Sequence, residues 1–176
     1  MSSTLPRVTL VLGGARSGKS RHAEALVETS GLACHYLATG TAGDGEMAAR
    51  IEAHQARRGA QWTLHEEPLA LALTLERITA PDRAVLVDCL TLWLTNLLVA
   101  ERDLAAATAG LVRSLETAGG PVVFVSNEVG QGVVPMNAMA RAFVDATGAL
   151  HQRLAAVACR VDLVTAGLPL TLKPRP

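Results

Sequence analysis

Short apolar runs alternate with longer amphipathic segments along most of the chain. Runs of the type found in buried strands occupy residues 8–12, 34–38, 84–89, 122–126 and 161–165. Segments with the 3.6-residue periodicity of helices occupy residues 20–29, 46–57, 69–78, 90–99, 104–118 and 138–157. Strands that alternate with helices in this way form parallel sheets with both faces covered. The pattern predicts an α/β fold with a mostly parallel sheet and helices on both faces.

Length and composition limit what such a fold contains. A chain of 176 residues is enough for one substantial core, so we expect a single domain over residues 1–176. The formal net charge is zero, which gives no electrostatic reason to expect nucleic acid or an acidic membrane surface as a partner. Hydrophobic residues make up 49% of the chain, more than an isolated domain of this size readily buries, so we expect an oligomer.

The cysteines and the chain termini suggest an ordinary cytoplasmic protein. Cys34, Cys89 and Cys159 lie far apart among small or apolar residues, as core thiols do, and none forms a C-x-x-C pair. We find no signal peptide and no membrane span, and therefore expect a cytoplasmic location. His65 reads as part of a polar connection, and residues 170–176 read as a short tail.

An octapeptide directly after the first strand candidate matches the phosphate-binding pattern G-x-x-x-x-G-K-[ST]. Its residues are Gly13, Gly14, Ala15, Arg16, Ser17, Gly18, Lys19 and Ser20. Glycines let backbone N–H groups approach a phosphate, and the helix that follows points its positive end at the anion. Lys19 is expected to meet the outer phosphates, and Ser20 to reach a magnesium ion. The motif predicts a protein that binds a nucleotide through its phosphates.

The loops after the other strand candidates should surround the same site. In parallel sheets, ligands collect at the carboxyl ends of the strands, which places residues 39–45, 88–91 and 127–135 beside the phosphate-binding loop. Asp88 ends an apolar run, as the magnesium-facing acid of a nucleotide site does. Its alternatives are a helix N-cap or a partnered buried acid. Glu128 follows another strand and either contacts a substrate or helps to form a turn.

More specific residues are spread over the chain in a fixed order. They are the octapeptide with Arg21, Ala38-Thr39, Asp44-Gly45-Glu46-Met47, Arg50-Ile51-Glu52-Ala53-His54, Asp88-Cys89-Leu90-Thr91, Thr95-Asn96-Leu97-Leu98, Asn127-Glu128-Val129-Gly130, Val134-Pro135, Arg141 and Gln152-Arg153-Leu154. This set closely resembles the bifunctional adenosylcobinamide kinase and adenosylcobinamide-phosphate guanylyltransferase family of cobalamin biosynthesis. The resemblance runs over residues 8–168.

That resemblance implies a RecA-like P-loop fold, a homotrimer and two reactions. A nucleoside triphosphate, ATP or GTP, first phosphorylates adenosylcobinamide. GTP then delivers GMP to adenosylcobinamide phosphate, giving adenosylcobinamide-GDP and pyrophosphate. Magnesium is the implied cofactor of both nucleotides.

The resemblance also implies a covalent guanylyl-histidine, with His54 at the matching position. Neutral imidazole is a competent nucleophile near neutral pH, although a histidine here could otherwise simply face solvent on a helix. Some relatives carry two adjacent histidines where this chain has Ala53 and His54, so only His54 can be the nucleophile. Asp88 stands where some members carry glutamate, which leaves metal contact and nucleotide contact both open.

Further nucleotide-binding residues follow from the same resemblance. They are Ala38, Thr39, Gly40, Gln55, Arg58, Glu66 and Asp88, with Ser20 and Asp88 as the metal ligands. A carboxylate such as Glu66 suits guanine because its oxygens accept from the ring and exocyclic N–H groups. Glu67 adjoins Glu66 and is the alternative for that role. Two other functions stay open: a kinase without guanylyl transfer, and a regulator that binds nucleotide without turnover.

Overall fold

A computed structural model of the chain describes residues 5–40 and 60–174. Their strands are β1 (Val8–Gly13), β2 (Ala33–Ala38), β3 (Trp62–Glu66), β4 (Arg83–Asp88), β5 (Val122–Asn127), β6 (Arg160–Thr165) and β7 (Leu168–Lys173). They form one sheet in the order β3-β2-β4-β5-β1-β6-β7. Neighbouring strands are parallel throughout, except that β7 pairs antiparallel with β6. The carboxyl ends of β1 to β6 therefore meet at one edge of the sheet.

Helices cover both faces of this sheet. Within the described residues they are α1 (Lys19–Glu28), α2 (Leu71–Ile78), α3 (Leu90–Val99), α4 (Leu104–Thr117) and α5 (Ala138–Val157). One face packs against α1 through a cluster that includes Val11, Val27 and Val123. The other face packs against α2 to α5 through a larger cluster that includes Leu10, Trp93 and Phe124. None of these helices is long and apolar enough to cross a membrane.

The central strands are continuous apolar runs because helices bury them on both faces. Every residue of β1 is buried, as are the four central residues of β4 and the first five residues of β5. Burial of this kind leaves little choice of side chain, and the sequence therefore shows these strands clearly. The predicted α/β fold is confirmed, and the predicted bounds of α3 and α5 match the structure. The predicted helix over residues 46–57 lies outside the described residues.

The two outermost strands were not predicted. His65 lies in β3 rather than in a polar connection, and most of the predicted tail over residues 170–176 belongs to β7. Both predictions were wrong for the same physical reason. An outer strand bonds to one neighbour only and keeps much of its surface in solvent, so it needs no continuous apolar run. In β7, Leu168, Leu170 and Leu172 are 73%, 60% and 54% exposed.

Candidate functional site

The phosphate-binding loop connects the end of β1 to the start of α1, and two of its glycines are sterically required. A Cβ at Gly13 would lie 2.6 Å from the Val164 carbonyl oxygen and would clash with Ser17 Oγ. Gly18 is the N-cap of α1 and has a φ of 94°, a conformation that side chains with a Cβ rarely adopt. The loop follows this path because the motif supplies glycine at both positions.

The polar groups of the loop converge on the N-terminus of α1. Lys19 is buried, and its Nζ donates a hydrogen bond across the loop to the Gly14 carbonyl oxygen at 3.2 Å. Ser17 is only 9% exposed, and no described residue makes a hydrogen bond with its hydroxyl. An ammonium group, a buried hydroxyl without a partner among the described residues, and the first amides of a helix are groups suited to binding an anion. Ser20 lies in the first turn of the helix, and Ala15 and Arg16 are exposed on the loop.

A buried acid fastens α1 to the sheet just beyond this loop. Asp162 of β6 is fully buried and accepts hydrogen bonds from His22 of α1 at 2.7 Å, from Arg160 and from Thr171 of β7. Burial raises the pKa of Asp162, but the three hydrogen bonds and the charge of Arg160 outweigh it and bring the pKa to about 2. The helix that begins at Lys19 is thus held to two strands by one carboxylate.

Asp88 lies half-buried at the end of β4. Its Oδ2 accepts a hydrogen bond from the Tyr36 hydroxyl at 2.8 Å. The N-cap of α3 is Cys89, whose side chain makes no capping bond, so the N-cap alternative for Asp88 is wrong. The partnered-acid alternative holds for the oxygen that faces Tyr36. Sequence could not reveal this partner, because strand pairing brings together residues that are 52 positions apart.

Hydrogen bonds of Thr39 hold the end of β2 to the end of β4. The Thr39 hydroxyl accepts from the Cys89 N–H at 2.9 Å and donates to the Cys89 carbonyl oxygen at 2.7 Å. Asn96 of α3 donates to the Thr39 carbonyl oxygen at 2.7 Å. The side chain of Thr39 is therefore engaged in holding two strands together. Ala38 and Gly40, its half-buried neighbours, lie at the same edge.

The end of β5 joins this edge to the phosphate-binding loop. Asn127 donates to the Thr91 hydroxyl at 2.9 Å, and the Glu128 N–H donates to the Gly13 carbonyl oxygen at 3.0 Å. One Glu128 oxygen accepts from the Gly130 N–H at 2.7 Å, so the acid does help to form a turn. The other oxygen lies 3.9 Å from Nδ1 of buried His151. Burial lowers the pKa of His151, and Glu128 partly opposes that effect.

Glu66 and Glu67 stand at the end of β3 in different circumstances. Glu66 is exposed at the last position of the strand. Glu67 accepts hydrogen bonds from the N–H groups of Leu69 and Ala70 at 2.9 and 2.8 Å, at the start of α2. The carboxylate of Glu67 is thus occupied by hydrogen bonds to the start of α2, whereas the Glu66 carboxylate is exposed and accessible to a ligand. The strand order puts β3 four strands from β1, roughly 19 Å away.

The predicted site residues are thus only partly brought together. The phosphate-binding loop, Asp88, Thr39 and Glu66 all lie at the carboxyl edge of the sheet, but they are spread along it from β1 to β3. His54, Gln55 and Arg58 lie outside the described residues. Sequence reasoning missed Tyr36 and His151. It also missed Asp162, whose signal was an acid inside an apolar strand, a position that requires partners.

Comparison with known proteins identifies the family of this chain. Residues 9–172 match the family model described as cobinamide kinase / cobinamide phosphate guanyltransferase. This chain belongs to that family. The predicted enzyme class, a bifunctional transferase, is confirmed with it. Among similar curated proteins, the bifunctional adenosylcobalamin biosynthesis protein CobP of Pseudomonas aeruginosa is 52% identical and is matched over 95% of this chain and 98% of its own length. The bifunctional adenosylcobalamin biosynthesis protein CobU of Salmonella typhimurium is 41% identical over 93% of this chain and 98% of its own length.

More distant solved structures support the fold of this cobinamide kinase / guanyltransferase family member. An ATPase from a type III secretion system of pathogenic bacteria aligns with 94% of this chain and 56% of its own, with a TM-score of 0.60 and 12% identity. The flagellar accessory protein FlaH from Methanocaldococcus jannaschii aligns with 97% of this chain and 80% of its own, with a TM-score of 0.52 and 10% identity. At such identities the likeness concerns the fold alone. The predicted RecA-like P-loop architecture is confirmed.

Proposed function

We propose that this chain phosphorylates adenosylcobinamide and then transfers GMP to the product through a guanylyl-histidine on His54. The products are adenosylcobinamide phosphate, then adenosylcobinamide-GDP and pyrophosphate. Family membership supports both reactions. The single structural observation that carries the proposal is the loop between β1 and α1, where buried Lys19 and the Ser17 hydroxyl, which has no partner among residues 5–40 and 60–174, meet the N-terminus of a helix.

In the first reaction the acceptor hydroxyl attacks the γ-phosphorus of ATP or GTP. The bond between the γ-phosphorus and the bridging oxygen breaks, and a nucleoside diphosphate leaves. Lys19 and the backbone N–H groups of the loop offset the negative charge on the outer phosphates, which is the main protein contribution to such reactions. The hydroxyl proton needs an acceptor, and Glu128, bonded through its own N–H to Gly13, is our candidate.

Magnesium is part of the proposal, with Ser20 and Asp88 as its protein ligands. The residues fit such an ion. No group of three or more His, Cys, Asp or Glu residues within 5–40 and 60–174 could hold a metal by itself. Magnesium in nucleotide sites uses one or two protein oxygens and takes its remaining ligands from phosphates and water, so a hydroxyl and one carboxylate suffice. When bound, it neutralises charge on the outer phosphates. Tyr36 orients the Asp88 carboxylate by holding Oδ2.

In the second reaction His54 attacks the α-phosphorus of GTP. A P–N bond forms, the bond to the β-phosphate breaks, and pyrophosphate leaves. A phosphate oxygen of adenosylcobinamide phosphate then attacks the same phosphorus and releases His54. Because the imidazole must be neutral to attack, its ordinary pKa near 6.5 suits this role at neutral pH. Glu66 is proposed to accept hydrogen bonds from guanine, with further contacts from Ala38, Thr39, Gly40, Gln55 and Arg58.

We place the acceptor against the loop that follows Glu128. This loop and the start of α5 form a shallow depression lined in part by Val133, Val134 and Arg141. Val133 and Met136 are 96% and 99% exposed. Exposed apolar side chains beside a phosphate site suit a large ligand with apolar faces, such as a corrinoid. A Val133→Ser, Met136→Ser double variant should raise KM for cobinamide and leave the KM for nucleotide unchanged.

The guanylyl-histidine is tested with GTP labelled at the α-phosphate. Wild-type protein is incubated with magnesium and labelled GTP, then denatured, and acid-labile, alkali-stable label on the protein is counted. His54→Ala should lose all label, whereas His151→Gln, a change at another histidine, should keep it. No label on wild-type protein, with GTP binding confirmed, would refute the intermediate.

The same proteins separate the alternatives. A kinase without guanylyl transfer would phosphorylate cobinamide from γ-labelled ATP and leave His54 unlabelled. A regulator would bind GTP, and cobinamide would leave its turnover unchanged. A homotrimer and a cytoplasmic location complete the proposal. Light scattering of the purified protein would test the trimer.

A further inference from the structure

Asn96 belongs to the set of residues that carries the family resemblance, but neither proposed reaction gives it a role. It lies half-buried on α3, and its Nδ2 donates to the Thr39 carbonyl oxygen at 2.7 Å and to the Pro68 carbonyl oxygen at 3.2 Å. These partners are 57 and 28 positions away along the chain. One amide group therefore joins α3 to the segment after β2 and to the loop after β3.

The two segments that Asn96 joins carry residues proposed to contact guanine. Ala38 and Glu66 are direct partners in the pairing of β2 with β3, and the Glu67 N–H donates to the Ala38 carbonyl oxygen at 2.9 Å. That bond lies at the end of the paired region. Beyond it, Asn96 holds the segments by donating to a carbonyl oxygen of each. Its amide therefore sets how far the backbone after β2 lies from Glu66.

The contacts of Asn96 require an amide at this position. Both partners are carbonyl oxygens, which only accept hydrogen bonds, so the group that faces them must be the NH2 of the side chain. Its two hydrogens can serve one oxygen each. An apolar side chain of the same shape would leave both oxygens without this donor, and an aspartate would place another acceptor beside them.

The helix that carries Asn96 is a rigid support for these contacts. Trp93, one turn earlier on α3, is 1% exposed in the core, and its Nε1 donates to the Leu69 carbonyl oxygen at 2.9 Å. The helix thus holds the loop after β3 at two successive carbonyl groups, those of Pro68 and Leu69. A site that is fixed in this way gives up little conformational freedom when a ligand binds.

We infer that Asn96 is a positioning residue of the guanine site, which holds the backbone of Thr39 and Gly40 at the distance from Glu66 that guanine requires. The inference rests on the proposed contact between Glu66 and guanine. Guanine offers a carboxylate two donors, its N1–H and its exocyclic amino group, whereas hypoxanthine offers only the N1–H. Both bonds form only when the base and the carboxylate are held in one alignment. Asn96 therefore sets the preference for guanine over hypoxanthine through the surroundings of Glu66.

The test measures transfer to adenosylcobinamide phosphate from α-labelled GTP and from α-labelled inosine triphosphate (ITP), whose base is hypoxanthine. Wild type should prefer GTP in kcat/KM by at least about tenfold, because the amino group adds a hydrogen bond to a charged acceptor. Asn96→Leu keeps the shape of the side chain and removes its donor. Its preference should fall to about threefold or less, through a higher KM for GTP. Asn96→Asp, which has no NH2 to donate, should give the same result.

Two further measurements serve as controls. Thr95→Val is also an exchange between side chains of the same shape on α3, but it removes a hydroxyl that bonds to Thr91 within the helix, and it should keep the wild-type preference. Phosphorylation of adenosylcobinamide from γ-labelled ATP should stay within about threefold of wild type in every variant, because such distant sites act independently. The phosphate-binding loop follows β1, which lies three strands from β2.

Three results would overturn the inference. The first is a wild-type preference for GTP in both Asn96 variants. The second is an equal loss of preference in Thr95→Val. The third is a fall in the phosphorylation rate as large as the loss of GMP transfer, which would mean that the substitutions damage the whole fold.

Glu66→Gln distinguishes failure of this inference from failure of the proposed function. If wild type has no preference for GTP over ITP, or if Glu66→Gln retains it, the proposed contact between Glu66 and guanine is wrong, and the inference fails with it. If Glu66→Gln loses the preference while the Asn96 variants retain it, the proposed contact stands and the inference alone fails.

Discussion

The carboxyl edge of the sheet has two ends that are built in different ways. At the β1 end, backbone geometry makes the site: glycines at 13 and 18, a helix N-terminus and one buried lysine within eight consecutive residues. At the β3 end, the exposed carboxylate of Glu66 lies at the end of the strand, and the carboxylate of the next residue, Glu67, already accepts hydrogen bonds from the start of α2. The proposed phosphate site is therefore formed by a local stretch of the chain, whereas the proposed guanine site depends on strand pairing and includes residues outside the described ranges.

The largest expected effect is at the β1 end. Lys19→Ala removes the cation that we propose faces the outer phosphates, and we expect the rate of cobinamide phosphorylation to fall at least about 100-fold. The measurement is transfer of label from γ-labelled ATP to adenosylcobinamide. Lys173, the other lysine of the sequence, donates to carbonyl oxygens at the end of α5, and Lys173→Ala should stay within twofold of wild type. Retention of activity by Lys19→Ala would contradict the assignment of the loop.

Asp162, which holds α1 to the sheet, should affect the stability of the fold rather than the rate of either reaction. The pKa of Asp162 is lowered from 3.8 to about 2, so its carboxylate stabilises the folded protein at every pH above 3.8 and loses that effect as the pH falls toward 2. Asp162→Asn should reduce the free energy of unfolding by about 2 kcal/mol at pH 7, and by progressively less below pH 3.8. Urea unfolding across pH measures it.

Asp145→Asn, at an exposed acid of α5, is the matched control and should change the stability little. A loss in Asp162→Asn that stays constant down to pH 2 would mean that packing, rather than ionisation, explains the effect.

Glu66 and Glu67 offer a comparison within the β3 end. Glu67→Ala removes an acceptor from two N–H groups at the start of α2 and should cost about 1 kcal/mol of unfolding free energy. Glu66→Ala, at an exposed position, should cost almost nothing. Thermal unfolding of the two variants measures the difference. Equal stability of both variants would remove the argument that only Glu66 is available to a ligand.

A smaller dependence of stability on pH is expected from two histidines near Glu66 and Glu67. His35 of β2 and His65 of β3 lie 2.9 Å apart, from Nδ1 to Nε2, with stacked rings. Burial lowers the pKa of both, and neighbouring positive charge, that of Arg83 included, lowers each further. A histidine whose folded pKa is lowered stabilises the fold above its ordinary pKa near 6.5, and this effect is lost as the pH falls.

His65→Gln should therefore make the stability less dependent on pH below 6.5. Urea unfolding between pH 7.5 and 5 measures this, with Asp145→Asn again as control. An unchanged pH dependence in His65→Gln would contradict the account of this pair.

The β1 end of the sheet could be predicted from the sequence more completely than the β3 end. The phosphate-binding loop needs only its own eight residues and was predicted residue by residue. Asp88 was predicted to lie at the site because an acid that ends a buried strand is conspicuous. Its contact with Tyr36 could not be predicted, because that contact depends on the pairing of β2 with β4. β3 and β7 were missed because outer strands carry weak apolar patterns. Glu66 came from a family resemblance, and only the structure distinguishes it from Glu67.

The most direct test of the account measures both reactions in one mixture. Wild type and Glu66→Gln are incubated with adenosylcobinamide, γ-labelled ATP and GTP carrying a different label at its α-phosphate, and the products are separated. We expect Glu66→Gln to phosphorylate adenosylcobinamide at the wild-type rate, while its transfer of GMP falls at least about tenfold. Equal loss of both reactions, or no loss of either, would contradict the division of work between the two ends of the sheet.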